Sequence, residues 1–270
     1  QLSDSNEIEV AENIIAPTNL ETDQQGTRLN NGEVQIAPVI KGLGAQMSQA
    51  GWTGLGGSKD YDGSGFPGVV DLAVQEMLQS ANMSLSLLPL LTKGVIHALS
   101  LYGTDLQKQL FLTHLTNGSW SGTMNLTEPQ AGSDLSTIKC KAVPNDDHYL
   151  LTGQKIYITW GEHDQTENII HLVLARLPDA PEGTQGISMF LVPKYLVNSD
   201  GSLGRRNDVK VAGIERKLGI HGSPTCTMIY GDNGGAVGYL VGPENKGLMC
   251  MFSMMNNARL SVGHQGVAVG

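Results

Sequence analysis

The hydrophobic period of the chain changes near Gly118, and this change constrains the fold more than any other feature. Between 68 and 116, apolar residues recur at helical spacing. From Trp120 to Tyr239 the period is mostly two, with turn residues between short apolar runs, which predicts an antiparallel β domain that is closed or sandwiched. From Glu244 the helical period returns and continues to the end of the chain. The order helix, sheet, helix predicts the α+β class.

The first helical region predicts three consecutive helices, over 68–81, 85–102 and 104–116. The second is apolar nearly all round, which is typical of a helix at the centre of a bundle. Thr104 opens the third helix and Gln107 follows three residues later, so the sequence predicts a capping box there.

The residues before these helices carry weaker patterns. The acidic stretch 1–16 predicts a surface helix, and the polar stretch 19–32 predicts a loop. Apolar residues at helical spacing predict a further helix over 34–50, and the glycine-rich stretch 51–67 predicts a second loop. Together the patterns predict a helical domain over 1–118, a β domain over 119–242 and the start of a second helical domain over 243–270.

Composition excludes several classes of function. Apolar residues make up 40 % of the chain and charged residues 16 %, so a sizeable core is expected. A net charge of −9 without a basic stripe argues against a nucleic-acid surface. Cys140, Cys226 and Cys250 have no metal-ligand spacing, and we expect reduced thiols and no metal site.

No signal peptide is visible, and the most apolar run, 84–101, contains Pro89, Lys93 and His97. That run therefore predicts a buried helix rather than a membrane span. The chain starts without methionine and stops within a helical pattern, so we expect it to be a fragment of a longer protein.

Two stretches of the β region carry the clearest functional signal. Residues 125–137 read NLTEPQAGSDLST, and residues 155–159 read KIYIT. Together they supply the hydroxyls of Thr127 and Thr159, the ring of Tyr157 and a small-residue turn. Such a set can hold a planar heteroaromatic cofactor and its phosphates.

With these motifs, the chain resembles the acyl-CoA dehydrogenase family over almost its whole length. The stretch 125–137 is similar to the family's signature, and 155–159 resembles its second flavin motif. KLGIHGSPTC at 217–226 and NNAR at 256–259 resemble two further blocks, in the same order. His221 and the insert at 230–236 most resemble the larger bacterial members, including the group named for 3-methylmercaptopropionyl-CoA.

The resemblance implies FAD-dependent α,β-dehydrogenation of an acyl-CoA thioester to the trans-2-enoyl-CoA. A base takes the α-proton while the β-hydride passes to flavin N5. The residues implied to bind the cofactor are Met124, Leu126, Thr127, Ser133, Tyr157, Ile158 and Thr159. The residues implied to contact the acyl-CoA are Ser133, Asn256 and Arg259.

Each of these residues also has a structural interpretation. Thr127 and Thr159 could be ordinary strand threonines and Tyr157 a core aromatic, and Ser133 could only cap its turn. Arg259 lies among apolar residues, so it needs a polar ligand or an ion pair between subunits. The lone His171 and His221, which have no nucleophile partner, are interpreted as structural.

The catalytic base is not expected in this chain. Glu128 precedes Pro129 and is interpreted as an acid that stabilises the turn. Some family members carry the base at the position of Ala258, which cannot accept a proton. The resemblance therefore implies a glutamate beyond Gly270, and a fragment that is inactive alone.

The resemblance further implies an electron-transfer flavoprotein as acceptor, a homodimer or homotetramer, and a location in the bacterial cytoplasm. Two related functions stay open, an acyl-CoA oxidase and a DNA-associated member of the same fold. A purely structural β-sandwich module is a third alternative.

Overall fold

The computed structural model describes residues 4–270. The helices are α1 (Asp4–Val10), α2 (Asn19–Gln25), α3 (Leu43–Gln49), α4 (Gly68–Ala81), α5 (Met83–Tyr102), α6 (Asp105–Thr116) and α7 (Gly247–Val269). The strands are β1 (Arg28–Asn30), β2 (Glu33–Gln35), β3 (Trp120–Asn125), β4 (Lys141–Asn145), β5 (His148–Thr159), β6 (Asn168–Arg176), β7 (Ile187–Pro193), β8 (Tyr195–Val197), β9 (Leu203–Arg206), β10 (Val209–Ile214), β11 (Thr225–Tyr230) and β12 (Ala236–Val241). Helices flank a β domain in the predicted order, which confirms the α+β class.

The N-terminal region differs from its prediction chiefly within residues 19–32. The predicted helix over 1–16 starts outside the described residues, and its described part is α1 followed by a π-helical turn, Ala11–Ile15. The predicted loop over 19–32 was wrong in its first half, because α2 forms there. A hairpin of β1 and β2 follows, and Asn31 and Gly32 both have positive φ at its two-residue turn, the geometry that Asn-Gly favours.

The helix predicted over 34–50 was also wrong in its first part. Val34 lies in β2 with its side chain buried, and a 3-10 turn follows at Pro38–Ile40. Gly42 then turns the chain with a φ of 84°, so regular helix begins only at α3. Apolar spacing alone did not separate a buried strand from a helix here.

Helix α5 forms the centre of the helical domain, as predicted. The Asn82 side chain caps it by accepting from the Leu85 N–H at 3.1 Å, and Leu85, Val95 and Leu99 are fully buried. A Cβ at Gly122 of β3 would lie 2.6 Å from Val95, so this helix packs directly on the sheet backbone. The predicted capping box of α6 between Thr104 and Gln107 is present.

Among residues 4–270, α5 is the one helix whose length and composition would suit a membrane crossing. Of its most apolar window, 61 % is buried within the protein. A core helix passes the same test of length and composition, and the burial of α5 accounts for its apolar character.

The main sheet of the β domain has the order β10-β11-β5-β12-β7-β6-β3, with β4 paired to β5 and β6, and β8 and β9 form a separate two-stranded sheet. The pairing is antiparallel except where β6 runs parallel to β3 and to β4. Residues 148–159 form one long strand, β5, which ends with the KIYIT motif. One face of the sheet packs with α5, α6 and α7, and α7 starts with Gly247 against the backbone of Ser188.

Candidate functional site

The two predicted cofactor stretches meet at one edge of β5. After β3 ends, the chain runs beside β5, and the Ile156 N–H donates to the Thr127 carbonyl at 2.9 Å. The Lys155 ammonium donates to the Leu126 carbonyl at 2.9 Å. Met124, Leu126 and Thr127 are half-buried. The fold therefore brings together residues that are about thirty positions apart.

A β-bulge in β5 presents Tyr157. Against β11, Ile158 pairs with Cys226 but Lys155 pairs with Met228, so β5 carries one extra residue. Tyr157 takes a φ of 60°, which is unfavourable for an aromatic L-residue, and its side chain is 60 % exposed. Bulges and strained backbone concentrate at functional sites, where they redirect a side chain.

The residues after the bulge are anchored to the rest of the protein. Ile158 points into the core at 2 % exposure, and Thr159 is half-buried opposite Thr225. Trp160 also has a positive φ of 53°, and its N–H donates to the Pro224 carbonyl at 2.7 Å. The Trp160 indole donates to a carbonyl of α5 at 3.2 Å, so the end of β5 is fixed on two sides.

The turn after Thr127 is closed by hydrogen bonds between the backbones of Glu128 and Ala131, at 3.0 and 2.9 Å. Ser133 is exposed, and a Cβ at Gly132 would meet open space. Asp134 accepts from the Ser136 N–H at 2.9 Å and so caps the following 3-10 turn. Hydrogen bonds from Ser136 lower the pKa of Asp134.

Glu128 has the structural role that the sequence favoured. Its carboxylate is 3 % exposed and accepts four hydrogen bonds, from Gln130, the N–H groups of Lys139 and Cys140, and Lys155. Burial alone would raise its pKa, but the Lys155 charge and these hydrogen bonds lower it below its ordinary value. A carboxylate held in this way is a poor general base.

On α7 the two predicted substrate residues contact each other. The Arg259 guanidinium donates to the Asn256 side chain at 2.8 Å and lies 5.4 Å from the centre of the Phe252 ring. Both Arg259 and Asn256 are exposed, so Arg259 is not buried among the apolar residues that surround it in the sequence. Asn256 also lines a cavity of about 420 Å³ beside the Lys93–Asp71 ion pair.

Sequence reasoning missed a cavity of about 820 Å³ between residues 25–41 and the β domain. At its wall the 5 % exposed Glu162 carboxylate pairs with Lys194 and Arg206. His163 beside it is fully buried and hydrogen-bonded to Ser121 at 3.0 Å, and burial lowers its pKa to about 3. No local sequence signal identifies this cluster, because Glu162 and His163 lie far along the chain from Ser121, Lys194 and Arg206.

The two lone histidines that the sequence singled out have structural contacts. His171 is buried against Thr123, and burial lowers its pKa to about 3. His221 bridges Asp23 and the Lys217 carbonyl, at 2.9 and 2.8 Å, and so ties its loop to α2. Within residues 4–270 no group of three His, Cys, Asp or Glu side chains could hold a metal ion. All three cysteines are free and buried.

Comparison with known proteins identifies the family. The model of the acyl-CoA dehydrogenase N-terminal domain matches residues 9–119, and the model of the middle domain matches residues 123–233. The chain belongs to the acyl-CoA dehydrogenase family. Acyl-CoA dehydrogenases are FAD-dependent oxidoreductases, so the family and the cofactor predicted from the sequence are confirmed.

Individual relatives agree with this assignment. The 3-methylmercaptopropionyl-CoA dehydrogenase of Ruegeria pomeroyi is 52 % identical over 95 % of this chain, and a butyryl-CoA dehydrogenase of Syntrophomonas wolfei is 38 % identical over 94 %. The chain spans 43 % of the length of each of these two relatives. The butyryl-CoA dehydrogenase structure from Megasphaera elsdenii superimposes with a TM-score of 0.76 at 27 % identity, over 99 % of this chain and 66 % of that one.

The residues present fit the family's cofactor. Tyr157 presents an exposed ring on strained backbone beside the half-buried Thr127, and the turn at Gly132 leaves open space. An aromatic surface next to hydroxyl and N–H donors suits a planar ring with polar edges. We refer to residues 124–134 and 155–159 together as the cofactor cradle.

Proposed function

We propose that this chain supplies the cofactor cradle of an enzyme that dehydrogenates an acyl-CoA thioester to the trans-2-enoyl-CoA with FAD. The observation that carries the proposal is the junction of Thr127 with the β5 bulge at Tyr157, made by the 2.9 Å hydrogen bond from Ile156. The 52 % identity to a 3-methylmercaptopropionyl-CoA dehydrogenase supports the same reaction class.

In this proposal the protein holds the flavin ring by its polar edge and one face. The Thr127 and Thr159 hydroxyls and nearby N–H groups, with Met124 and Leu126 flanking them, would donate to the edge that gains negative charge. Tyr157 would pack against the ring, with the Ile158 backbone beside it. Ser133, exposed on its turn, would contact cofactor phosphate or the coenzyme A part of the substrate. Bound FAD would supply the hydride acceptor.

The proposal assigns substrate contact to α7. Arg259 is exposed and already fixed by Asn256 at 2.8 Å, so the pair can present an oriented cation and amide to the acyl-CoA. Ala258, between them in sequence, cannot accept a proton. We therefore assign the base to a glutamate beyond Gly270 and expect this chain alone to be inactive.

We also propose the domain boundaries, the oligomeric state, the location and the electron acceptor of the whole protein. The domain boundaries are 1–118, 119–242 and 243–270; the whole protein is a homodimer or homotetramer; it acts in the bacterial cytoplasm; and an electron-transfer flavoprotein accepts its electrons. The last is supported by a structural neighbour from work on the electron transferring flavoprotein of Acidaminococcus fermentans, with a TM-score of 0.78 at 25 % identity.

The test is to purify the whole protein with FAD and add a panel of acyl-CoA thioesters without oxygen, including methylmercaptopropionyl-CoA. We expect flavin absorbance in the resting protein and its bleaching by at least one thioester. The Thr159→Val variant should weaken FAD binding, whereas Thr152→Val, on an exposed part of the same strand, should not. A protein that binds no flavin would refute the proposal.

The same preparation separates the alternatives. Peroxide formed in step with substrate oxidation in air would identify an acyl-CoA oxidase, because oxygen would then reach the reduced flavin. A salt-dependent shift of DNA in a gel would favour the DNA-associated alternative. If the chain 1–270 alone dehydrogenated acyl-CoA at the rate of the whole protein, the assignment of the base would be wrong.

A further inference from the structure

We propose that Lys155 is the positioning residue of the cofactor cradle, and that its ammonium group orients and polarises the peptide that carries the Thr127 N–H. This inference rests on the proposed function, because it assigns a role toward the same cofactor. Lys155 is 0 % exposed, so it cannot touch a ligand itself and must act through the groups that it contacts.

The contacts of Lys155 are all on the turn side of the cradle. Its ammonium donates to the Leu126 carbonyl and to the Glu128 carboxylate, both at 2.9 Å. The backbone of its neighbour Ile156 donates to the Thr127 carbonyl, also at 2.9 Å. Three consecutive residues are therefore fastened to the strand whose next residue, Tyr157, forms the bulge.

The Leu126 carbonyl and the Thr127 N–H belong to one peptide group. A cation that hydrogen-bonds the carbonyl draws electron density from that peptide and makes its N–H a stronger donor, as in other hydrogen-bond chains. Within residues 4–270 the Thr127 N–H donates to no protein acceptor. A polarised N–H that is left without a protein acceptor suits a ligand acceptor.

Stability alone does not explain a lysine at this place. A fully buried ion pair loses most of its Coulomb energy to desolvation, and apolar residues of similar volume are often equally stable. Glu128 already receives three donors besides Lys155, from Gln130 and two backbone N–H groups. The pair is best explained by the geometry that it imposes on 126–128.

The chain offers a matched control in Lys93. Its ammonium pairs with Asp71 and its side chain is 12 % exposed, but it joins α5 to α4 and has no contact with the cradle. Replacing either lysine by methionine removes one buried cation from one ion pair. The two variants should lose similar contacts, and only one of them should disturb the cofactor.

The experiment uses the whole protein loaded with FAD, in wild-type form and as Lys155→Met, Lys155→Arg and Lys93→Met. The readouts are the dissociation constant of FAD by flavin fluorescence, the visible spectrum of the bound flavin, and Tm. We expect Lys155→Met to weaken FAD binding by about tenfold or more, the size of a lost charge-assisted hydrogen bond, and to shift the flavin spectrum. Lys93→Met should lower Tm yet change FAD affinity by less than about twofold, and Lys155→Arg should recover part of the affinity.

A double variant separates positioning from folding. Lys155→Met with Glu128→Gln removes both charges but keeps an oxygen acceptor for the N–H groups of Lys139 and Cys140, so it leaves no unpaired ion and should recover much of the Tm lost in Lys155→Met. We expect its FAD affinity to stay low, because the Leu126 carbonyl still lacks its cation. The inference would be overturned if Lys155→Met, alone or in the double variant, bound FAD as tightly as the wild type. A wild-type protein that binds no FAD would instead refute the proposed function.

Discussion

Two buried lysine–carboxylate pairs, Lys155–Glu128 and Lys93–Asp71, lie in surroundings that differ more than their chemistry does. Lys155 and Glu128 are 0 % and 3 % exposed and join a turn to a strand of the β domain. Lys93 and Asp71 are 12 % and 17 % exposed and join two helices at the edge of a 420 Å³ cavity. Water can therefore reach one pair and not the other.

The surroundings determine how each ion pair responds when one partner is removed. Burial lowers the pKa of Lys93, so this lysine can become neutral more easily if its partner is removed. Glu128 is held as a carboxylate by Lys155 and by backbone N–H groups, and its pKa is lowered. The helical pair can adjust by solvation when one partner is removed, whereas the β-domain pair lies out of reach of water.

The largest expected effect comes from Glu128→Gln. This change leaves the Lys155 cation buried without its counter-ion, and breaking a buried pair in this way costs about 3–5 kcal/mol of unfolding free energy. Urea unfolding at neutral pH measures the loss. A cost below about 1 kcal/mol would mean that the Lys155 charge is already compensated elsewhere.

Asp71→Asn should cost less, about 1–3 kcal/mol, because the cavity beside Lys93 admits water to its ammonium group. Gln75, which now donates to Asp71 at 2.8 Å, keeps an acceptor. The same urea titration provides the comparison. Equal losses in Asp71→Asn and Glu128→Gln would remove the distinction between an open and a sealed pair.

Acid should weaken the sealed pair. The pKa of Glu128 is lower in the folded state than its ordinary value of 4.5, so its stabilising contribution is present above pH 4.5 and is lost as pH falls through the lowered folded pKa. Stability measured by urea unfolding between about pH 5 and pH 3 should fall more steeply in the wild type than in Glu128→Gln. Parallel curves for the two proteins would contradict the assigned pKa direction.

The smallest effect concerns backbone strain in the same region. Tyr157→Gly should stabilise the protein without cofactor by about 0.5–1 kcal/mol, because glycine adopts a φ of 60° without steric cost, while FAD binding weakens. Asp62→Gly, at a φ of 61° in the glycine-rich loop, is the control and should change stability less, since aspartate tolerates this conformation. Thermal unfolding of both variants without FAD tests the difference.

Sequence reasoning worked where structure is local. The spacing of apolar residues and the Thr104 capping box predicted α4, α5 and α6 to within two residues, because a helix is stabilised by neighbours in sequence. Helix α2 was not predicted, because it is mostly polar and lacks the apolar stripe that indicates a helix. The resemblance to the two family motifs singled out the stretches that meet beside β5, and the turn-stabilising role of Glu128 was anticipated.

The features that could not be predicted from the sequence depend on contacts between residues far apart in the chain. The partner of Glu128 is Lys155, 27 positions later, and only the pairing of the strand with the turn brings them together. The bulge at Tyr157 has no sequence signal, because tyrosine is an unusual residue at positive φ. Alternation along β5 would place Tyr157 on the same side as Lys155, in the core, rather than at the surface.

The extra residue in β5 also sets the phase of everything that follows it. Because of the bulge, Ile158 rather than Tyr157 faces the core after Lys155, and Thr159 is half-buried. Deleting Tyr157 would restore regular pairing and keep Ile158 in the core, because Lys155 and Ile158 on either side of the bulge already face the same way. We therefore expect such a deletion to cost the protein the exposed Tyr157 ring rather than its core packing.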